Sequence, residues 1–523
     1  MAEAEGQASE DTQALEAAAA TRVPLTKRVL ASYAAPAMPL ALSGLPIAVY
    51  LPVVYADPDG FGLSLVVVGL LITLSRFTDV ITDPIIGFLS DRMRTRMGRR
   101  KPFILFGTPI YAAGMWLLFV APDDFSDMTF LGWTFSTGYP WMFCMMSLLY
   151  LGATIKDLPY NAWGAELSRN YNERTLVMSW REAFTVAGSL LSAFIPAIIL
   201  FFGYTKPTDA VYMLVMIMCI LMPVFVVNAV ITVPEYPVIE RSRERVKLLA
   251  GLKVVYQNKA YRYLVIIFAF SSMGAAMTNS LSFFFVKHVL VAGELYGLYL
   301  APYFVCQIAA IPLWFKLSRK IGKHRATMVA IGWYALWASF LPLIAISPAE
   351  WFTAFRVEVL LAFLPAETYQ SMLIYFEGIE TGKFLFFIII MCLKGSSIGA
   401  LSALPFAMAA DVVDVDTAET GKQRAGAYFS IWSMVRKAAY ALGVTIGLSL
   451  AVGFGFDSLA DPRATTNSDF SLLMVACIYS VVPALFKFVG IPLLWKYPLT
   501  EEKVRAVQAE IERKNQGVAA EST

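Results

Sequence analysis

Apolar residues run along most of the chain in stretches of about 20, each closed by a short polar or charged segment. A helix rises about 1.5 Å per residue, so about 20 mostly apolar residues cross a hydrocarbon core of roughly 30 Å. Twelve such stretches begin near Val29, Leu65, Phe103, Met142, Arg181, Val211, Leu264, Leu298, Ala326, Phe384, Tyr428 and Leu472. The most charged interior gap, Glu235 to Arg262, divides them six and six. The pattern predicts an all-α polytopic membrane protein of two six-helix halves, residues 26–234 and 263–497. A linker over 235–262 joins them, and tails occupy 1–25 and 498–523. One segment fits the pattern poorly. Residues 347–383 form a long apolar insertion between two spans, for which we expect interfacial helices over the outer mouth.

Composition sharpens this. Only 15% of the 523 residues are Asp, Glu, Lys or Arg, against roughly 25% in an ordinary soluble domain. So few charges exclude a soluble enzyme. The net charge of +3 implies no field for nucleic acid. The five cysteines lie singly in apolar runs without metal spacing, and two histidines are too few for a histidine metal centre. Residues 1–20 are acidic and Ala-rich, unlike a cleaved signal, which starts basic and turns apolar.

The placement of charge matters more than its sum. The connection after the second span holds Arg92, Arg94, Arg96, Arg99, Arg100 and Lys101, and the one after the eighth holds Lys316, Arg319, Lys320, Lys323 and Arg325. The connections Ala56–Gly62 and Pro122–Trp141 hold no Lys or Arg. By the positive-inside rule the basic loops and both termini are cytoplasmic. Two of these loops also resemble each other, six spans apart. "GFLSDRMRTRMGRRKPFIL" and "LWFKLSRKIGKHRATMV" each join two spans by a basic turn containing Gly98-Arg99-Arg100 or Gly322-Lys323-His324-Arg325. Two six-span halves repeated this way describe the major facilitator architecture.

Ionisable groups within spans are costly and by default mark a pathway. Asp79 and Asp83 are four apart in the second span, on one helical face, and repel each other unless a cation or proton lies between them. Thr82 adds a hydroxyl nearby, and oxygen ligands suit a hard cation or a proton. Arg76 is a candidate salt-bridge partner, and Pro84 is expected to weaken the helical ladder there. Thr154, Lys156 and Asp157 lie in the fourth span, Arg181 in the fifth, Lys394 in the tenth, and Arg436 and Lys437 in the eleventh.

With these residues in place the chain resembles the glycoside–pentoside–hexuronide:cation symporter family, the melibiose-permease-like branch of the major facilitators, from about Tyr33 to Trp495. Three segments carry the resemblance: "RFTDVITDPIIGFLSDRMRTRMGRRKPFIL", "TIKDLPYNAW" and "RAGAYFSIWSMVRKAAYALG". The resemblance implies that Asp79, Thr82, Asp83 and Thr154 bind the coupling cation. It further implies that Asp157, Asn161, Arg181 and Lys437 attend the solute. Asn161 stands where melibiose permease has a sugar-stacking Trp, and Thr82 where the family has Asn. The first-span stretch "AAPAMPLALSGLPIAVYL" lacks the acidic residue that contacts sugar in that permease. Sodium-coupled lysophospholipid symporters of the same family also lack it.

The expected function is therefore cation-coupled symport, with Na+ or H+ as coupling ion, no cofactor and a carbohydrate as solute. A lysophospholipid or other amphipathic solute is the alternative, and a non-transporting receptor or scaffold the remote one. No nucleophile–base set or metal dyad points to an enzyme. A monomer in the bacterial inner membrane is expected, with Asp91, Arg92, Gly98, Arg99 and Arg100 latching the halves on the cytoplasmic side.

Overall fold

The computed structural model describes residues 25–57, 61–93, 95–120, 125–130, 133–167, 171–200, 202–204, 206–235, 258–348, 350–352, 381–420, 425–463 and 466–499. Most of the 347–383 insertion, most of the 235–262 linker and both tails lie outside them, as do the side chains of Asp91 and Arg92.

Ten of the described helices are long and apolar enough to cross a membrane. They are α1 (Lys27–Ala56), α3 (Lys101–Phe119), α5 (Tyr171–Leu200), α6 (Pro207–Thr232), α7 (Lys259–Val289), α8 (Gly293–Ile321), α9 (Lys323–Ile346), α10 (Gly382–Val413), α11 (Ala425–Gly453) and α12 (Asp469–Trp495). Two further helices, α2 (Leu65–Arg92) and α4 (Gly138–Glu166), have 28 and 29 residues. At about 1.5 Å per residue both are longer than a bilayer is thick. They complete the expected twelve, and they carry Asp79, Asp83, Thr154 and Asp157. A small departure from the all-α expectation is an antiparallel hairpin, β1 (Asp127–Phe130) and β2 (Trp133–Ser136), between α3 and α4.

Prolines shape the helices unevenly. In α1, Pro36, Pro39, Pro46 and Pro52 split the span into short pieces around a π-helical turn, Pro46–Tyr50. Pro84, expected to weaken α2, sits in a helix that runs unbroken from Leu65 to Arg92. A proline removes only one donor, and packed neighbours can hold the helix straight.

Small residues let helices approach closely inside each half. A Cβ on Gly107 would lie 2.8 Å from the Lys156 amide nitrogen, and one on Gly114 would lie 2.7 Å from the Leu149 Cα, so α3 packs backbone to backbone on α4. This is the small-residue packing by which membrane helices associate without a hydrophobic drive. Two buried clusters result. The larger spans both halves, from Tyr33 and Leu118 to Phe284 and Tyr479. The smaller lies in the second half around Tyr261, Tyr334 and Trp432.

Described contacts between the halves gather at the end opposite the basic loops. Asp57 at the end of α1 accepts from Lys287 of α7 at 2.5 Å. Thr73 of α2 donates to the Ala441 carbonyl of α11 at 2.7 Å, and Thr445 donates to the Gly69 carbonyl at 2.7 Å. Gly297 of α8 abuts Pro196 and Ala197 of α5, where an added Cβ would come within 2.7 Å of backbone. Ser458 after α11 donates to the Ala56 carbonyl at 3.1 Å.

Candidate functional site

The site forms where α2, α4 and α11 meet. Asp79 and Asp83 share a face of α2 because they are one turn apart. Lys437 reaches them from α11, with its Nζ 2.7 Å from Asp83 Oδ2 and 3.2 Å from Asp79 Oδ2. Thr154 of α4 donates to Asp83 Oδ1 at 2.8 Å. Arg76 lies one turn before Asp79 at 3.6 Å and stacks over the Tyr150 ring at 3.9 Å. The Asp79 side chain is 5% exposed, Asp83 29% and Lys437 25%, so the cluster opens to solvent on the Asp83 side. One oxygen, Asp79 Oδ1, is buried with no hydrogen-bond partner.

The electrostatics follow from this geometry. Two adjacent carboxylates need a positive group between them, and the Lys437 ammonium fills that place. Since Lys437 belongs to the second half and the carboxylates to the first, the neutralising contact is also a bridge between halves. An orphaned carboxylate oxygen, a second carboxylate and a threonine hydroxyl form an oxygen set that suits a monovalent cation or a proton.

The other expected residues are placed less uniformly. Thr82 donates to its own helix, to the Thr78 carbonyl at 3.1 Å, and is not brought to Asp83. Asp157 is half-buried and pairs with its neighbour Lys156 at 2.6 Å. Lys156 is buried and stands 4.5 Å from the Tyr111 ring. Arg181 lies over the Tyr160 ring at 5.4 Å, and among the described residues it forms no ion pair with Asp157. Asn161 and Arg436 are exposed. Trp163 is buried, its Nε1 donating to the Pro234 carbonyl at 3.1 Å, which makes it a packing residue rather than a free stacking surface.

The described hydrogen bonds of the basic turn run to Glu235 and Ser90. Gly98 has φ 109° and its missing Cβ faces the Glu235 carboxylate. The amides of Arg99 and Arg100 donate to Glu235 Oε1 at 2.7 Å each, and the Lys101 amide donates to Oε2 at 3.3 Å. Arg100 also donates to Ser90 at 2.9 Å. Glu235 follows α6, so these bonds fasten the turn to its own half. Beyond its place at the head of a charged linker, Glu235 carries no signal in the sequence for this role.

Comparison with known proteins now decides the family. A family model described as "MFS/sugar transport protein" matches residues 32–501. The chain belongs to the MFS/sugar transport family. Its relatives in that family include the "Putative glycoside/cation symporter YagG" of Escherichia coli, 24% identical over 87% of this chain and 89% of that protein. An "Uncharacterized symporter" of Synechocystis is 26% identical over 88% and 91%. The human "Sodium-dependent lysophosphatidylcholine symporter 1" is 22% identical over 83% and 77%. Among solved structures, the nucleoside transporter NupG superposes with a TM-score of 0.59 at 12% identity, covering 90% of this chain and all (100%) of that one. The D-xylose-proton symporter superposes with a TM-score of 0.54 at 15% identity, covering 89% and 98%. These likenesses confirm the major facilitator fold, and the protein is an integral membrane transporter.

Proposed function

We propose that the protein is a cation-coupled symporter that works by alternating access, with Asp79, Asp83 and Thr154 as cation ligands. The observation that carries this reading is the placement of the Lys437 ammonium between Asp79 and Asp83, 3.2 and 2.7 Å away. A Na+ or a proton taken up by the carboxylates does the neutralising in place of Lys437. The lysine is then released toward the solute, and the bridge from α11 to α2 is broken. Cation and solute thereby favour each other, and linkage requires the effect to be reciprocal.

In this reading the basic loops face the cytoplasm of a bacterial cell, with both termini. The gathered contacts Asp57–Lys287, Thr73–Ala441 and Pro196–Gly297 then make the state one closed to the outside. Solute enters between the halves beside Asp83, where Asp157, Asn161, Arg181 and the freed Lys437 offer charge-assisted hydrogen bonds.

A carbohydrate is the proposed solute, in keeping with the family and with the glycoside/cation relative. A lysophospholipid is the second reading. It is favoured by the absence of any acidic residue from Ala34 to Leu51 in α1 and by the lysophosphatidylcholine symporter relative. Uptake of a labelled methyl glycoside and of labelled lysophosphatidylcholine into proteoliposomes separates the two. Each is measured with and without an excess of the other. The carbohydrate reading expects glycoside uptake that lysophosphatidylcholine does not inhibit; the reverse pattern overturns it.

A further inference from the structure

Two lysines lie buried in the second half, away from the Asp79–Lys437 cluster. Lys394 of α10 has no exposed surface, and its Nζ has no hydrogen-bond partner. It stands 4.8 Å from the centroid of the Tyr479 ring and 5.4 Å from that of Tyr334. Lys487 of α12 is also buried and stands 5.0 Å from the same Tyr334 ring. It donates to the Ser271 carbonyl at 3.2 Å and to the Ser271 hydroxyl at 3.0 Å. No carboxylate pairs with either lysine among the described residues. Two ammonium groups that share one aromatic ring repel each other. Aromatic faces and one serine recover only part of what burial of each charge costs.

The helix beside Lys394 is broken. The first part of α10 ends at Gly395, and a new helix starts at Ile398. Hydrogen bonds hold the break. Trp333 Nε1 donates to the Leu393 carbonyl at 2.8 Å, Trp314 Nε1 donates to the Ser396 carbonyl at 2.7 Å, and Ser397 Oγ donates to the Lys394 carbonyl at 2.7 Å. A helix N-terminus at this depth presents unspent amides and the positive end of its dipole. Discontinuous helices of this kind build ion sites in transporters. The first turns of the new helix, through Leu401 and Pro405, also line a groove with Lys487, Ser271, Thr327 and Ile331. Its enclosed space is about 10 Å³, room for about one water, and it lies on the Lys487 side.

We propose that the second half binds a small inorganic anion between Lys394, Lys487 and the helix that starts at Ile398. Three features point to one missing partner: an ammonium with unspent donors, a second ammonium facing the same Tyr334 ring, and a helix that restarts just after Lys394. An anion of halide or small-oxyanion size supplies the negative charge that no side chain provides. The site stands apart from Asp79 and Asp83 and does not depend on the symport reading.

The full-length purified protein tests this by its melting temperature. Sodium chloride, nitrate and phosphate are each exchanged for sodium gluconate at constant Na+ and ionic strength. At least one of the three small anions is expected to raise the melting temperature saturably by several degrees over gluconate, and Lys394→Met is expected to abolish that shift. Which anion acts identifies halide or oxyanion. Should Lys394→Met fail to fold, Lys487→Gln is expected to weaken half-saturation about tenfold or more, the equivalent of one lost interaction of ~1.4 kcal/mol. A chloride-35 line width of the wild-type protein, displaced by the competing anions, gives a second reading. Equal melting of the wild type in all four salts, or a shift of unchanged size and midpoint in both variants, overturns the proposal.

Discussion

Lys437 shows how much of the site rests on one side chain. Its ammonium lies within 3.2 Å of two carboxylates that would otherwise repel. Removing one partner of a buried pair typically costs about 3–5 kcal/mol, because the remaining charge is left uncompensated. Lys437→Gln is therefore expected to melt below the wild type in Na+-free, neutral buffer, and to recover more than the wild type does as the coupling cation is added. A differential scan against Na+ and against pH checks this, and an identical cation response in both proteins would count against it. Glu235 is a second such residue, since it accepts three backbone amides at the start of α3. Glu235→Ala is expected to destabilise the protein by about 2 kcal/mol, the scale of hydrogen bonds to a charged group, with urea unfolding as the measurement. The shared face of Asp79 and Asp83 was legible in the sequence, from their spacing of one helical turn. Thr82 was not, because its rotamer decides whether it turns to a ligand or to the Thr78 carbonyl. Nor was Glu235, a single acid among many charges at the edge of a linker.

At the scale of elements, the twelve spans were readable from apolar length alone, since a bilayer imposes that length. Their interior detail was not. Pro84 leaves α2 intact, whereas α1 is divided and α10 is broken at Gly395–Ile398 without a proline. These outcomes depend on neighbours, such as the two tryptophans that hold the α10 break. The hairpin β1–β2 also escaped prediction, because four-residue strands give too short a pattern to read. Helix pairing was equally hidden, although its small-residue signature was present. Gly114 allows α3 to meet α4 with backbone in contact. Gly114→Leu is expected to lower stability by about 1–3 kcal/mol or more, since overpacking must push two helices apart. Loss of folded protein after detergent extraction and a lower melting temperature would show it; a variant as stable as the wild type would refute the packing argument.

At the scale of the whole molecule, the halves are joined at one end and bridged at the middle by Lys437. The six-and-six division was legible from the charged gap at Glu235–Arg262. The closed end was not, since it depends on pairs such as Asp57–Lys287 that lie 230 residues apart. Gly69 packs there against Thr445 and Leu448, where an added Cβ would approach to 3.3 and 3.2 Å. Gly69→Trp is expected to hold this end open, so that a cysteine placed at Thr73 reacts with a membrane-impermeant thiol reagent added outside. Unchanged protection would mean that this end is not the outer gate.

Coupling through the carboxylate pair is the central claim. It is tested most directly by solute accumulation in proteoliposomes of the wild type and of Asp83→Asn, with Na+ and proton gradients imposed separately. One of the two gradients is expected to drive the wild type to concentrate its solute above equilibrium. Asp83→Asn should only equilibrate solute downhill. Accumulation by Asp83→Asn equal to that of the wild type, under the same gradient, would contradict it.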